Sequence, residues 1–448
     1  MAGILTDTLK RLLLDKLVTD VQSASEYYYI GIGNSIDWDS SDTAPTPINS
    51  QREDRNLRLQ LQSIKSGEDV SYVTPRNNWT AGTIYSGYDD NTSGHPTLPY
   101  FVITEDNSVY LALRQGKDAN GTAVASTVKP TGAATTSFIT ADGYHWKFLY
   151  TLTAGDASKF LSANFVPIKF ITSTDSASPA ADTEQKGIQD AAINGQIANI
   201  RVLSGGTGYT SAPTVTISGD GDSATATAII SGGAIVDIVL DSDGSQGIKH
   251  GSGYTKATVS FSSGAATARA VLAPIGGFGK NPKIDTRAKG VMFNTKPNGT
   301  ESGTFIADND FRQVALIKNP KIPTTDSDFT TASGFALKNL SLASVGTAFS
   351  PDKTILGGSS GAKAYVDTYS SNTIYYHQTE ETGFTPFTSG EAITENDGSG
   401  AGVLDSSSTW SDGAIDIMST GDILYIENRA AISRAADQTE DIKIVVQL

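Results

Sequence analysis

Four histidines, His95, His145, His250 and His377, are the side chains best suited to acid–base or metal chemistry near neutral pH, and they lie in different segments of the chain. No His-Glu-x-x-His sequence occurs, and no two histidines stand four apart, the spacing that aims two ligands at one metal from a helix. Each is therefore expected at the surface or on an edge strand, without a catalytic role. No loop ends in Gly-Lys-Ser/Thr, and no serine-nucleophile elbow is read in the chain. The glycines around Gly205–Gly208 and Gly251–Gly253 recur with Tyr-Thr and open no helix, so they read as turn glycines. Clustered carboxylates suit a hard cation, and Asp220-Gly-Asp222 and Asp241-Ser-Asp243 are such clusters. The twelfth position from Asp241 is Ser252, so no bidentate glutamate closes a calcium loop. A solvated turn and a weak ion site both fit. No carboxylate pair sits in a cleft-forming motif of the kind glycosidases use. The absence of cysteine excludes disulfides, thiolate nucleophiles and thiolate-bound zinc. The chain is read as no enzyme, with no cofactor and no metal.

The elements that would position these residues come from a long, turn-rich chain. At 448 residues it exceeds what one core usually serves, about 250–300 residues, so several lobes are expected. Its 44 glycines exceed the usual share of about 7% and favour a β-dominated fold. A net charge of -15 argues against a general phosphate-binding surface, so no nucleic-acid partner is expected. No run of about 18 apolar residues exists, and the N-terminus lacks a secretory pattern; no membrane partner is expected.

Taken in order, Ile4–Val21 reads as a helix whose leucines Leu5, Leu9, Leu12, Leu13 and Leu17 follow helical spacing, widened by Ile4, Leu14 and Val18. So wide an apolar face fits a helix sunk in its own core or one docked on a partner subunit. An aromatic strand, Glu26–Gly33, leads to Trp38, and Gln51–Lys65 reads as a second helix. A hairpin is expected from Tyr100–Thr104 and Val109–Leu113, and an aromatic strand from Tyr144–Leu152. Pro167 places its strand at an edge. Residues 173–194 read as a linker or exposed loop. Then an imperfect two-copy repeat follows, each copy running strand, Gly-x-Gly-Tyr-Thr turn, strand and small-residue strand; two copies are too few for a solenoid. Residues 335–410 read as a second small β module. The expected class is mainly β, a β-rich α+β fold: an N-terminal helical segment (1–25), a discontinuous main body (26–194, 274–334 and 411–448), and inserted modules at 195–273 and 335–410. Charges beside two apolar strands suggest that Arg312 and Glu427 pair across them. The run Ile442–Val446 reads as a strand tied into a sheet.

Five stretches, in this order, resemble the dimeric baseplate wedge protein (the gene product eight family) of T-even-like contractile-tailed phages. They are the aromatic strand leading through Gly33 to Trp38, Val73-x-Pro-Arg-x-x-Trp79, Asp142-Gly-Tyr-His-Trp146, Phe311-Arg-Gln-Val with Asn319-Pro320, and Ile426-Glu-Asn-Arg429 followed by Ala436-Asp-Gln-Thr-Glu440. The resemblance covers residues 26–172, 275–334 and 411–448, and departs from the family where Ala430-Ala431 replaces Pro-Pro. It implies a homodimeric virion subunit of the tail baseplate, assembled in the host cytoplasm. Such a subunit contacts other wedge proteins, including the wedge initiator and the protein that carries the short tail fibres, and shares in the rearrangement that triggers sheath contraction. The interface and structural candidates are Leu5, Leu9, Leu13, Leu17, Trp38, Trp79, Trp146, Arg312, Glu427 and Arg429. The alternative is a receptor- or glycan-binding tail protein, with exposed Tyr209, Tyr254, Tyr375 and Tyr376 of the two modules stacking on sugars.

Overall fold

The computed structural model describes residues 3–67, 69–244, 247–296, 309–396, 398–406, 410–415, 421–434 and 440–448. Strands dominate: among the described residues twenty-seven of them accompany five helices, the longest being the 15-residue Asp7–Val21, so the fold is β-rich. Among the described residues no helix is long and apolar enough to cross a membrane. The chain forms two compact units, one built mainly from Ser71–Gly290, the other mainly from Leu12–Val70 with Val291–Val446.

The first unit is centred on an antiparallel sheet in the order Phe101–Ile103, Ser108–Arg114, His145–Thr151, Phe138–Ile139. The expected hairpin is present, with Asn107 at φ 59° in its turn, a conformation that Asn tolerates better than most residues. Successive side chains in a strand point to opposite faces, and here each face has its own core. Phe101, Ile103, Val109, Leu111, Leu113 and Leu149 share one apolar cluster; Val102, Tyr110, Trp146 and Phe148 share another. Trp146 stacks on Tyr144 at 5.5 Å and meets Tyr85 edge-on at 6.0 Å. Pro167 lies on Phe165–Ile168, a terminal strand, where its missing N–H costs no ladder bond. Residues 173–194 are not only a loop, since they contain the helix Ala180–Asp190. Ile188 joins the second core, and Gln185 and Gln189 bond to the backbone of Lys169 and Ile171. Polar composition concealed this helix because its glutamines are satisfied by protein rather than by water.

The repeat folds as two interlocked copies around one core that includes Ile197, Ile200, Ile235, Ile238 and Leu240. Ile197–Ser204 of the first copy pairs with Thr267–Leu272 of the second, Val215–Gly219 with Ala257–Phe261, Asp222–Ala224 with His250–Ser252, and Ala226–Ser231 with Ala234–Leu240. Among the described residues every ladder of the module thus runs between copies. The turn glycines have left-handed backbone, with Gly206 at φ 64° and Gly251 at φ 63°. Gly232 and Gly233, both at positive φ, make the two-residue hairpin turn that joins the copies.

The second unit holds a five-stranded antiparallel sheet in the order Ser333–Phe335, Leu61–Ser66, Tyr28–Gly33, Asn309–Lys318, Asp422–Arg434. Tyr29, Ile64, Ala315, Ile317 and Phe329 pack on it. The expected helix Gln51–Lys65 stops at Gln60, and Leu61 turns extended at φ −69°, ψ 123°. Leu61 and Ile64, three apart, fit either a helix face or a strand; pairing with Gly33 and Gly31 decides for the strand. A Cβ on Gly33 would fall 2.4 Å from the carbonyl oxygen of Gln60, so only glycine lets the first strand pass this helix end. The terminal strand Ile442–Gln447 is a sheet neighbour of Gly290–Thr295, as its alternation suggested. Residues 338–404 close into a six-stranded barrel around Leu340, Ile355, Val366, Ile374 and Ile393.

Candidate functional site

The most chemically suggestive geometry is one that no motif announced. His250 lies with Nδ1 2.6 Å from the carbonyl oxygen of Ile197 and Nε2 2.6 Å from the hydroxyl of Ser137. A carbonyl only accepts, so Nδ1 carries the proton and Ser137 donates to Nε2. The pair borders a cavity of about 160 Å³ with Lys147, Thr135, Gln196 and Phe278. Burial pushes His250 down to about 4, helped by the nearby Lys147 cation against the lone bond to Ile197. Burial likewise pushes Lys147 down to about 8, and its Nζ donates to the carbonyl of Thr135. So weak a base, with a carbonyl where a catalytic triad places a carboxylate, does not activate a hydroxyl. The contact is a tie between the repeat module and the sheet.

Other ties join the same parts. Asn199 donates to the carbonyls of Leu113 (2.6 Å) and Tyr88 (2.9 Å). Asp237 accepts from Arg114 and from Lys117, and Arg269 from the module holds Asp89 and Asp90. Sequence reasoning missed these residues because each partner lies scores of positions away. Together they fix the module to the sheet rather than leaving it on a free stalk.

Three of the four histidines are not surface residues: His145, His250 and His377 are buried, whereas His95 is exposed, as expected. His377 reaches Asp367 at 2.6 Å inside the barrel, and Asp367 also accepts from Ser35 and Gln62. Neighbouring polar groups make this burial tolerable, which sequence position alone does not reveal. The tyrosines expected to stack on sugars are spent on packing. Tyr209, Tyr254 and Tyr376 are buried, and Tyr375 stacks on Phe335 at 4.9 Å. The stretch Gly357-Gly-Ser-Ser-Gly361 does carry Gly-x-Ser-x-Gly spacing, but it joins strand to strand, and Ser359 bonds to Glu391 with no histidine at hand. Glu391 accepts from Ser359, Ser360 and Thr388 through backbone and hydroxyl donors at 2.7–3.0 Å. Burial opposes its ionisation, yet these donors hold it down at about 2. Asp241 and Asp243 accept from Thr227 and from the Gly247 N–H, and Asp220 is bonded by Thr255 and Lys256. Among the described residues no group of three metal-ligating side chains forms; Ser245 of the acidic turn lies outside them.

Three of the five motif stretches meet in the second unit. Phe311–Val314 runs beside Ile426–Arg429, with Gln313 donating to Asn428 at 2.7 Å, and Trp38 donates from its indole to the Arg429 carbonyl at 3.0 Å. The other two meet in the first unit, where the Trp79 indole donates to Ser126 and Ser126 donates to Asp142. Trp146 is fully enclosed. The expected Arg312–Glu427 pair does not form. Arg312, 4% exposed, bonds to Asp42, Asp37, Asp310 and the Ser35 carbonyl, whereas Glu427 is half-exposed and meets Tyr425 and Arg429. The ladder sets Glu427 opposite Val314, and a bulge between Phe311 and Gln313 turns Arg312 toward the preceding loop. Residues 435–439, with Asp437 of the terminal motif, lie outside the described residues. On the N-terminal helix Leu14, Val18 and Val21 are buried and Leu17 is half-buried. Leu5, Leu9 and Leu13 are 64%, 41% and 50% exposed, and Leu12 and Ile4 are also exposed. The helix begins at Asp7 rather than at the expected Ile4, so Ile4 and Leu5 precede it; Leu9, Leu12 and Leu13 give it a second apolar face turned outward.

No protein-family model matches the chain, and a search of curated proteins gives no match.

Proposed function

We propose that the chain is a structural subunit of a contractile-phage tail baseplate wedge, active in baseplate assembly and in the rearrangement that triggers sheath contraction. The observation that carries this reading is the outward apolar stripe of Leu9, Leu12 and Leu13, extended by exposed Leu5 just ahead of the helix, on a helix whose other apolar face is already buried. Apolar surface of this kind on a folded chain marks an association site. The five stretches that resemble the wedge family add support, since they converge into two hydrogen-bonded groups rather than scattering. On this reading the stripe forms the homodimer contact, other wedge proteins bind elsewhere, and the subunit moves as a semi-rigid body about its interfaces. Light scattering of the purified chain tests it, followed by mixing with co-expressed wedge proteins of the same tail. A dimer that enters a wedge complex is expected; a monomer that joins no complex overturns the reading.

A further inference from the structure

We propose that the outer edge of Asp422–Arg434, over Asp422–Glu427, docks one extended segment of a different protein chain, apolar at alternate positions and bearing a lysine or arginine. The inference rests on the assembly reading and adds how a neighbour attaches. Asp422–Arg434 is the last strand of its sheet and, among the described residues, pairs only with Asn309–Lys318. In an antiparallel ladder the backbone groups of successive residues turn to alternate sides, so about half of them face away from that neighbour. Over the later part of the strand the chain's own loop meets this edge. Trp38 donates to the Arg429 carbonyl, Asn428 donates to the Pro45 carbonyl, and Asp42 accepts from the Ala431 N–H. Over Ile423–Glu427 no such contact occurs among the described residues. A slot of about 490 Å³ lies there instead, bounded by Ile423–Ile426 on one side and Pro47, Ile48 and Asn49 on the other. Its apolar lining is open to solvent, with Ile48 68% and Leu424 47% exposed.

Natural proteins blunt long strand edges because these recruit other strands. Here the chain's own loop covers the later half of the edge; the earlier half carries a bulge at Leu424 but is uncovered among the described residues, beside an apolar slot. An extended backbone is the partner that satisfies alternating N–H and C=O groups while placing every second side chain in a flanking groove. Six residues at about 3.4 Å each give it an edge of about 17–20 Å. Charge sets the rest of the occupant's chemistry. The Asp54 carboxylate lines the slot and has no partner among the described residues, and Asp422 is exposed at the strand's start. The chain's own exposed Ile4-Leu5 has no basic residue nearer than Lys10, and the cations beside its exposed Phe170 and Leu203, Lys169 and Arg201, are already held by Asp156 and Asp182 and by Asp89, which argues against a second copy as occupant.

The test titrates the full chain with a fluorescent, end-capped Lys-Thr-Val-Thr-Val-Thr peptide and reads anisotropy. Saturable binding is expected, at least about tenfold weaker when Glu replaces the peptide lysine and abolished when alternate peptide amides are N-methylated. Leu424→Arg and Asp54→Lys in the chain should each weaken binding about tenfold while leaving the melting temperature unchanged. No saturation below about 1 mM, or binding indifferent to N-methylation or to Leu424→Arg, overturns the proposal. If the peptide instead converts a dimer to monomer in light scattering, the occupant is a second copy and the proposal is wrong. A chain that joins wedge complexes but ignores the peptide refutes only this proposal; one that binds the peptide but joins no complex refutes only the assembly reading.

Discussion

Arg312 donates its Nε–H to Asp42 at 2.7 Å, and this bond holds the loop after the first strand against the strand that carries the arginine. The same guanidinium reaches Asp37 at 2.6 Å and the Ser35 carbonyl at 2.7 Å. Removing the buried arginine loses charge-assisted bonds and leaves the buried Ser35 carbonyl unpaired, at a cost of about 1.5–3 kcal/mol, while the carboxylates left behind, Asp37 70% exposed among them, remain hydrated. Arg312→Ala should therefore lower the urea midpoint of unfolding by that equivalent. Glu427→Ala, at a half-exposed pair with Arg429, should change stability by less than about 0.5 kcal/mol. Equal effects of the two substitutions would contradict this account.

Glu391 gives an acid-side signature. Burial works against its charge, but the N–H and hydroxyl donors of Ser359, Ser360 and Thr388 outweigh it and hold the folded group at about 2 against an ordinary 4.5. A carboxylate held below its unfolded value stabilises above about pH 4.5 and loses that contribution as pH falls toward about 2. Glu391→Gln turns an amide N–H₂ toward existing donors and should cost about 2–3 kcal/mol at pH 7. The difference from the parent should shrink on approach to pH 2, as followed by circular dichroism.

Asp285 has the opposite sign. Complete burial raises it from 3.8 to about 7, against the Gly279 N–H and the field of Lys147, which both pull it down. Below about pH 4 the group is neutral in both states and costs nothing. As pH rises toward 7 the unfolded chain ionises freely while the folded one resists, so stability is lost. Asp285→Asn keeps an acceptor for Gly279 and removes the ionisable group. It should raise stability by about 1–3 kcal/mol at pH 8 and leave it unchanged at pH 4, read as melting temperature at the two pH values.

The outward helix face separates association from folding. Leu9→Glu with Leu13→Glu places charge on side chains already facing water. The melting temperature of the monomer should move by little, since surface substitutions usually stay within about 0.5 kcal/mol. The mass by light scattering should fall from dimer to monomer. An unchanged dimer would place the contact elsewhere.

Much of the fold was legible wherever the signal was local. The Gly-x-Gly-Tyr-Thr recurrence marked the repeat, and the hairpin at Asn107 and the terminal strand were visible in short-range alternation. Reading failed where one pattern fits two structures, as at Leu61 and Ile64, which suit a helix face or a strand equally. It failed again where the answer lay in register. That Arg312 wanted carboxylates was visible from its type, but which ones depended on a bulge that sets three residues, 429–431, against the single Arg312. The polar ties were out of reach, since Ser137 and His250 stand 113 residues apart with no spacing rule to connect them.

The interlocking of the two repeat copies has a consequence for what counts as a folding unit. Because all four ladders among the described residues cross from one copy to the other, a solitary copy would keep only single bridges such as Thr214–Thr227 and would gain its ladders by meeting another molecule. The module is in effect a dimer threaded on one string, and the Gly232–Gly233 connection mainly keeps its halves at high effective concentration. A protease inserted at that turn should nick the backbone without parting the halves, which would travel as one species on a native gel and separate only in denaturant. By the same logic, such a module can arise by duplication of a self-pairing half, with fusion making permanent a partnership that already existed.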